Sequence, residues 1–164
     1  MKELLEGRRF GFALRPAFGN VAAGLGVALF LLDIVAWTGW GVRDTNALVV
    51  GSVWIGVAIA ILAVLSLAAA LAERTDVPEE EANLARIDAI AVGVAALLYV
   101  GTTVVRALDS GAAAASPLAL LLGIAGLILL LAGAVLSSVL YASREWEELD
   151  EIVHERRRRH ASGR

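Results

Sequence analysis

Four long apolar segments, separated by short polar stretches, dominate the sequence. They cover about residues 17–40, 46–72, 86–108 and 117–141. Each has about 20 residues or more, enough to span the ~30 Å hydrocarbon core of a bilayer as a helix rising ~1.5 Å per residue. None shows the two-residue alternation of a strand, and a helix satisfies its own backbone polar groups in lipid. The pattern predicts an all-α fold, a bundle of four transmembrane helices.

A charged segment with one apolar stripe follows the fourth run. Over residues 143–160, apolar side chains recur at three- and four-residue spacing, which is typical of an amphipathic helix. The stripe consists of Trp146, Leu149, Ile152 and Val153. We expect the fourth helix to continue into the cytoplasm here. The stripe is expected to bind a partner, either a second copy of the chain or another membrane protein.

Four consecutive arginines close this segment: Arg156, Arg157, Arg158 and Arg159. Basic residues beside a bilayer attract anionic lipid headgroups, so we expect these side chains to contact them, or else to act only as a topology signal. The run is short and has no interleaved aromatic residues, which argues against nucleic-acid binding.

The positions of the basic residues predict the topology. Alternating the four segments across a membrane places twelve of the 14 Lys and Arg residues on one side and leaves only Arg43 and Arg106 on the other. Since cytoplasmic loops carry the excess of Lys and Arg, both termini are expected in the cytoplasm. The predicted organisation is an N-terminal cytoplasmic segment (1–16), a transmembrane domain (17–141) and a charged cytoplasmic helix and tail (142–164) in a cell inner membrane.

Composition narrows the chemistry. The chain has 164 residues, 59% of them apolar, with a mean hydropathy of +0.74 and no cysteine. The two histidines, His154 and His160, lie in the charged tail, so intramembrane haem or histidine–metal ligation is not expected. No phosphate-binding loop or nucleophile motif is present. We therefore expect no enzymatic activity, no cofactor and no metal.

One carboxylate, Asp33, interrupts the first apolar segment. A charged side chain in mid-helix costs roughly 3 kcal/mol on insertion, so Asp33 is expected to face the bundle interior and to have a partner. Ser52, Thr102 and Thr103 fall at a similar depth, and Arg106 lies one turn further out. Two interpretations remain open: a buried structural pair, or a proton or ion site.

Small residues recur at four-residue intervals within the apolar segments, which favours close helix packing over a pore. Examples are Ala22/Gly26, Ser52/Gly56/Ala60, Ala89/Gly93 and Gly133/Ser137.

Residues 11–25 resemble the opening of a bacterial four-helix membrane family catalogued as domain of unknown function 2231, whose pattern runs roughly Gly-His-Pro-Leu-His-Pro-x-x-x-His-x-Pro-x-Gly-Leu. Gly11, Leu14, Pro16, Gly24 and Leu25 match, whereas Phe12, Arg15 and Asn20 occupy histidine positions. The likeness continues through Leu31-Leu32-Asp33 and the start of the third helix to Tyr141.

The resemblance also implies a former site in this chain. Where the family tends to have histidine in helix three and glutamate near the end of helix four, this chain has Asp88 and Ser138. With Asn20, these residues are expected to converge at the cytoplasmic ends of their helices, in a site that keeps the family's geometry but not its ligands.

Two functions follow from these observations. The first is a non-catalytic membrane scaffold or accessory subunit that meets its partner through the C-terminal helix. The alternative is a small transporter or channel component that uses Asp33.

Overall fold

The computed structural model describes residues 14–40, 47–73, 79 and 81–162, with side chains as far as Val139. Within these residues all regular structure is helical: α1 (Leu14–Trp37), α2 (Ala47–Glu73), α3 (Ala82–Leu108) and α4 (Pro117–Ser162). Each helix contains a segment long and apolar enough to cross a membrane, which in α4 is Pro117–Val139. The predicted four-helix membrane architecture is confirmed at this level.

Local signals explain where two of the helices end and begin. Helix α1 ends before Gly39, whose φ of +79° is the left-handed conformation that glycine adopts at helix C-termini. Helix α4 begins at Pro117, and the Ser116 hydroxyl accepts a hydrogen bond from the Ala119 amide at 3.4 Å. A serine cap followed by proline is a favoured start for a helix.

The four helices form a ring in chain order. Helix α1 packs against α2 and α4, and α3 packs against the same two helices from the opposite side. Helices α1 and α3 therefore lie on a diagonal of the bundle. At one end, the Trp37 indole donates a hydrogen bond to the Ala115 carbonyl at 3.2 Å, tying the end of α1 to the loop before α4.

The bundle core is built largely from small residues around one aromatic ring. Alanines such as Ala22, Ala63 and Ala95 are fully buried, which lets the helix backbones approach closely. Tyr99 on α3 is also fully buried. A Cβ on Gly26 would lie 2.6 Å from the Tyr99 hydroxyl oxygen, and one on Gly126 would lie 2.9 Å from its ring. Both glycines therefore make room for the tyrosine.

Large apolar side chains cover the outside of the bundle, among them Leu97, Leu108 and Leu121. A soluble protein rarely exposes continuous apolar surface of this kind, whereas lipid solvates it. The predicted partner-binding stripe and the terminal arginines lie on the part of α4 whose side chains are outside the described residues.

Candidate functional site

The Asp33 carboxylate lies inside the bundle and pairs with Arg106 across the diagonal. One guanidinium nitrogen donates to Asp33 Oδ1 and the other to Oδ2, both at 2.6 Å. Asp33 is 4% exposed and Arg106 is 1% exposed. This is the bidentate geometry in which arginine and carboxylate bind most strongly. The structure thus gives Asp33 the inward orientation and the charged partner that its position predicts.

Two hydroxyl groups, Ser52 of α2 and Thr102 of α3, surround this ion pair. We call Asp33, Ser52, Thr102 and Arg106 the outer cluster. Arg106 donates to the Ser52 hydroxyl at 3.1 Å and, through Nε, to the Thr102 hydroxyl at 3.3 Å. Thr102 in turn donates to the Ala119 carbonyl of α4 at 2.6 Å. The outer cluster therefore joins all four helices through one buried arginine.

Thr103, which the sequence groups with these residues, lies elsewhere. A Cβ on Gly56 of α2 would come 2.5 Å from the Thr103 hydroxyl oxygen, so this side chain fills the space at the α2–α3 contact. Its buried hydroxyl has no hydrogen-bond partner in the described part of the chain. One step along a helix turns a side chain by about 100°, which is why Thr102 reaches the outer cluster and Thr103 does not.

A second charged cluster lies at the other end of the bundle. Arg15 of α1 forms ion pairs with Asp88 of α3 and with Glu73 at the end of α2, the latter at 3.3 Å. Arg15 is 3% exposed and Asp88 is 1% exposed. The Ser66 hydroxyl donates to the Arg15 backbone carbonyl at 3.1 Å. We call Arg15, Ser66, Glu73 and Asp88 the inner cluster.

The inner and outer clusters repeat one arrangement with the charges exchanged. Helix α1 supplies the arginine at the inner end and the aspartate at the outer end, whereas α3 supplies them in the opposite order. Eighteen positions separate the two charges in each helix, Arg15 from Asp33 and Asp88 from Arg106, or ~27 Å of helix. This equal spacing of opposite charges is a sequence signal that would have identified Arg15 as a buried residue.

The three residues that the family resemblance predicts to form one site do not all converge. Asn20 and Asp88 line one small cavity beside the inner cluster, and Ser137 of α4 lines it as well. Ser138, the predicted third member, is exposed, and its hydroxyl donates to the Ala134 carbonyl at 2.8 Å. The expectation was wrong by one residue on α4, again because adjacent helical residues face different directions.

Chemically, both clusters consist of mutually paired charges and hydroxyl groups. Among the described residues, no three His, Cys, Asp or Glu side chains converge as metal ligands would. Each arginine–aspartate pair crosses the diagonal of the bundle, so each holds α1 and α3 at a set rotation and height. The arrangement is suited to holding helices together.

The Asp33–Arg106 pair gives a direct prediction for stability. Removing one partner from a buried ion pair leaves an unpaired charge and costs about 3–5 kcal/mol, whereas replacing both with apolar residues is often near neutral. We expect Asp33→Leu and Arg106→Met each to lower the free energy of unfolding by several kcal/mol. The double variant Asp33→Leu/Arg106→Met should lose less than the two single variants combined. Reversible unfolding in mixed detergent micelles measures all three.

Arg86→Gln is the matched control, because Arg86 is an exposed arginine on the same helix as Arg106. It should change the free energy of unfolding by no more than about 0.5 kcal/mol. Additive losses in the double variant would show that the two buried side chains do not interact.

Comparison with known proteins returned no family model, no curated protein and no solved structure that matches this chain. The similarity to domain of unknown function 2231 stays a prediction carried by the residues named above.

Proposed function

We propose that this protein is a non-catalytic scaffold or accessory subunit of a bacterial inner membrane, with both termini in the cytoplasm. The observation that carries the proposal is the course of α4. It is one continuous helix, Pro117–Ser162, of 46 residues. The helix continues for 23 residues past Val139, the last described residue of its apolar segment, which corresponds to ~35 Å at ~1.5 Å per residue. A helix of this length is suited to presenting a binding surface away from the bilayer.

The clusters inside the bundle support a structural role. A proton- or ion-coupled carrier needs a carboxylate that its substrate reaches. Both oxygens of Asp33 instead accept hydrogen bonds from Arg106, and Ser52 and Thr102 take further donors of the same guanidinium. The transporter alternative, in which Asp33 binds a proton or an ion, requires this pair to separate. Asp33→Asn distinguishes the two roles. A scaffold variant that still inserts keeps its partner, whereas a carrier that binds a proton or an ion at Asp33 loses transport.

The proposed orientation is based on the distribution of basic residues between the two sides of the membrane. The buried ion pairs change which arginines count as loop charges. Arg15 and Arg106 are buried partners inside the bundle rather than loop charges. Without them, eleven basic residues belong to the proposed cytoplasmic side and only Arg43 to the other. The ratio of basic residues on the two sides is thus eleven to one, compared with twelve to two when the buried arginines are included. This is a stronger form of the excess expected on the cytoplasmic side.

Single-cysteine labelling tests this orientation, because the chain has no native cysteine. Gly111→Cys lies in the exposed loop between α3 and α4 and should react with a membrane-impermeant maleimide in intact cells. Ser162→Cys, at the end of α4, should react only after the membrane is permeabilised. The reverse pattern would overturn the proposed orientation.

The scaffold role predicts that the stripe on α4 is needed for assembly. An isolated helix of this length is only marginally stable in water, and its acidic residues are repelled by anionic headgroups, so a protein surface is the expected cover. Leu149→Asp combined with Ile152→Asp should abolish crosslinked complexes in native membranes. Membrane insertion should be unchanged, since the transmembrane segments are untouched.

His154→Asp is the matched control, because it adds a carboxylate to the same helix away from the stripe. Crosslinked complexes should persist in this variant. Complexes that also persist in the Leu149/Ile152 variant would refute binding through the stripe.

A further inference from the structure

A small cavity lies beside the inner cluster, where the first turns of α1 meet α3 and the end of the membrane-spanning part of α4. Its lining includes Arg15, Gly19, Asp88, Gly133 and Ser137. The cavity volume, measured for the centre of a sphere the size of a water molecule, is about 10 Å³. One water molecule needs roughly 10–15 Å³ on this scale, so the space suits a single water and nothing larger.

Apart from Arg15 Nη2 and Asp88 Oδ2, which face each other in the ion pair, three polar atoms of these lining residues lack a hydrogen-bond partner in the described part of the protein: Arg15 Nε, Asp88 Oδ1 and Ser137 Oγ. The three residues are 3%, 1% and 5% exposed, respectively. A buried polar group without a hydrogen bond costs about 1–3 kcal/mol, and buried polar groups are nearly always paired. Three such atoms around one cavity therefore point to a bound molecule that pairs with them.

The chemistry of the three atoms selects the ligand. Arg15 Nε carries a hydrogen and only donates, whereas the ionised Asp88 oxygen only accepts and the Ser137 hydroxyl does either. A metal cation cannot accept the Arg15 hydrogen, and an anion would be repelled by Asp88. A water molecule accepts from Arg15 and donates to Asp88 and Ser137 at the same time.

The outer cluster shows what the inner one requires. There, the Arg106 Nε donates to Thr102, whose hydroxyl continues to the Ala119 carbonyl of α4. No described hydroxyl reaches the corresponding Nε of Arg15. Gly133 keeps the space open, because a Cβ at this position would lie 3.2 Å from Asp88 Oδ1 and 3.0 Å from the Val92 side chain.

We propose that the inner cluster contains a binding site for one structural water molecule, bridging Arg15 Nε, Asp88 Oδ1 and Ser137 Oγ. This water takes the place that a threonine hydroxyl takes at the outer end, and it extends the α1–α3 ion pair to α4. The inner cluster is consequently hydrated within the membrane domain, while the outer cluster is satisfied by protein groups alone. The inference is independent of the scaffold role.

A crystal structure from a lipidic phase, at a resolution that shows ordered waters at the helix ends, tests the site. The map should contain one peak within roughly 2.7–3.2 Å of all three atoms. A collapsed cavity without a peak would overturn the proposal. So would a peak surrounded by five or more oxygens at the shorter distances of a metal ion.

Gly133→Ala should remove the peak, since the new methyl group occupies the space beside Asp88 Oδ1. Gly24→Ala is the matched control, because a Cβ there meets nothing within 4 Å, and its map should keep the peak. Ser137→Val fills the cavity from α4 and replaces Gly133→Ala if that variant does not fold. A peak that remains in a cavity-filling variant would contradict the assignment of the site.

Discussion

Lipid cannot solvate a charge, and this constraint governs how the four helices fit together. Two arginines and two aspartates lie within the membrane-spanning segments of α1 and α3, and each is almost fully buried. An unpaired charge there costs several kcal/mol, so the folded bundle has to bring each one to a partner. Because the helices carry their charges in opposite order, only a parallel, aligned arrangement of α1 and α3 pairs both ends.

The two ion pairs also restrict what lies between them. With α1 and α3 held on the diagonal at points ~27 Å apart, rotation of either helix would break a pair. Helices α2 and α4 fill the flanks, and the core between the clusters combines alanines with a few large side chains such as Leu29, Ile59 and Leu130. Tyr99 occupies the middle of that core only because Gly26 and Gly126 lack a Cβ. The small residues and the paired charges therefore stabilise the same arrangement of the four helices.

Much of this architecture can be predicted from the sequence, because the length of a helix and the depth of each residue along it follow directly from the residue numbers. The four spans and the meeting of Asp33 with Ser52, Thr102 and Arg106 follow from counting residues along helices. Rotation about a helix axis is harder to predict, since one residue changes the direction of a side chain by about 100°. That is why Thr103 and Ser138 face away from the clusters to which their depth assigned them.

The inner cluster was missed for a different reason. Arg15 precedes the first long apolar run and so counts as a loop charge, although it is the first buried residue of α1. Glu73 directly follows the second apolar run and so also counts as a loop charge, although it is the last residue of α2. Pairing of these residues depends on tertiary contacts, and Ser137 enters the neighbouring cavity only because Gly133 leaves space beside Asp88.

Solid-state NMR in lipid bilayers tests the central claim, that buried ion pairs across the diagonal hold the bundle together. The measurement is the dipolar coupling between the Asp33 carboxylate carbon and the guanidinium nitrogens of Arg106. We expect strong dephasing of the carboxylate signal by two nitrogens, as required by two N–O contacts of 2.6 Å. An undephased Asp33 carboxylate in the folded, membrane-embedded protein would contradict it.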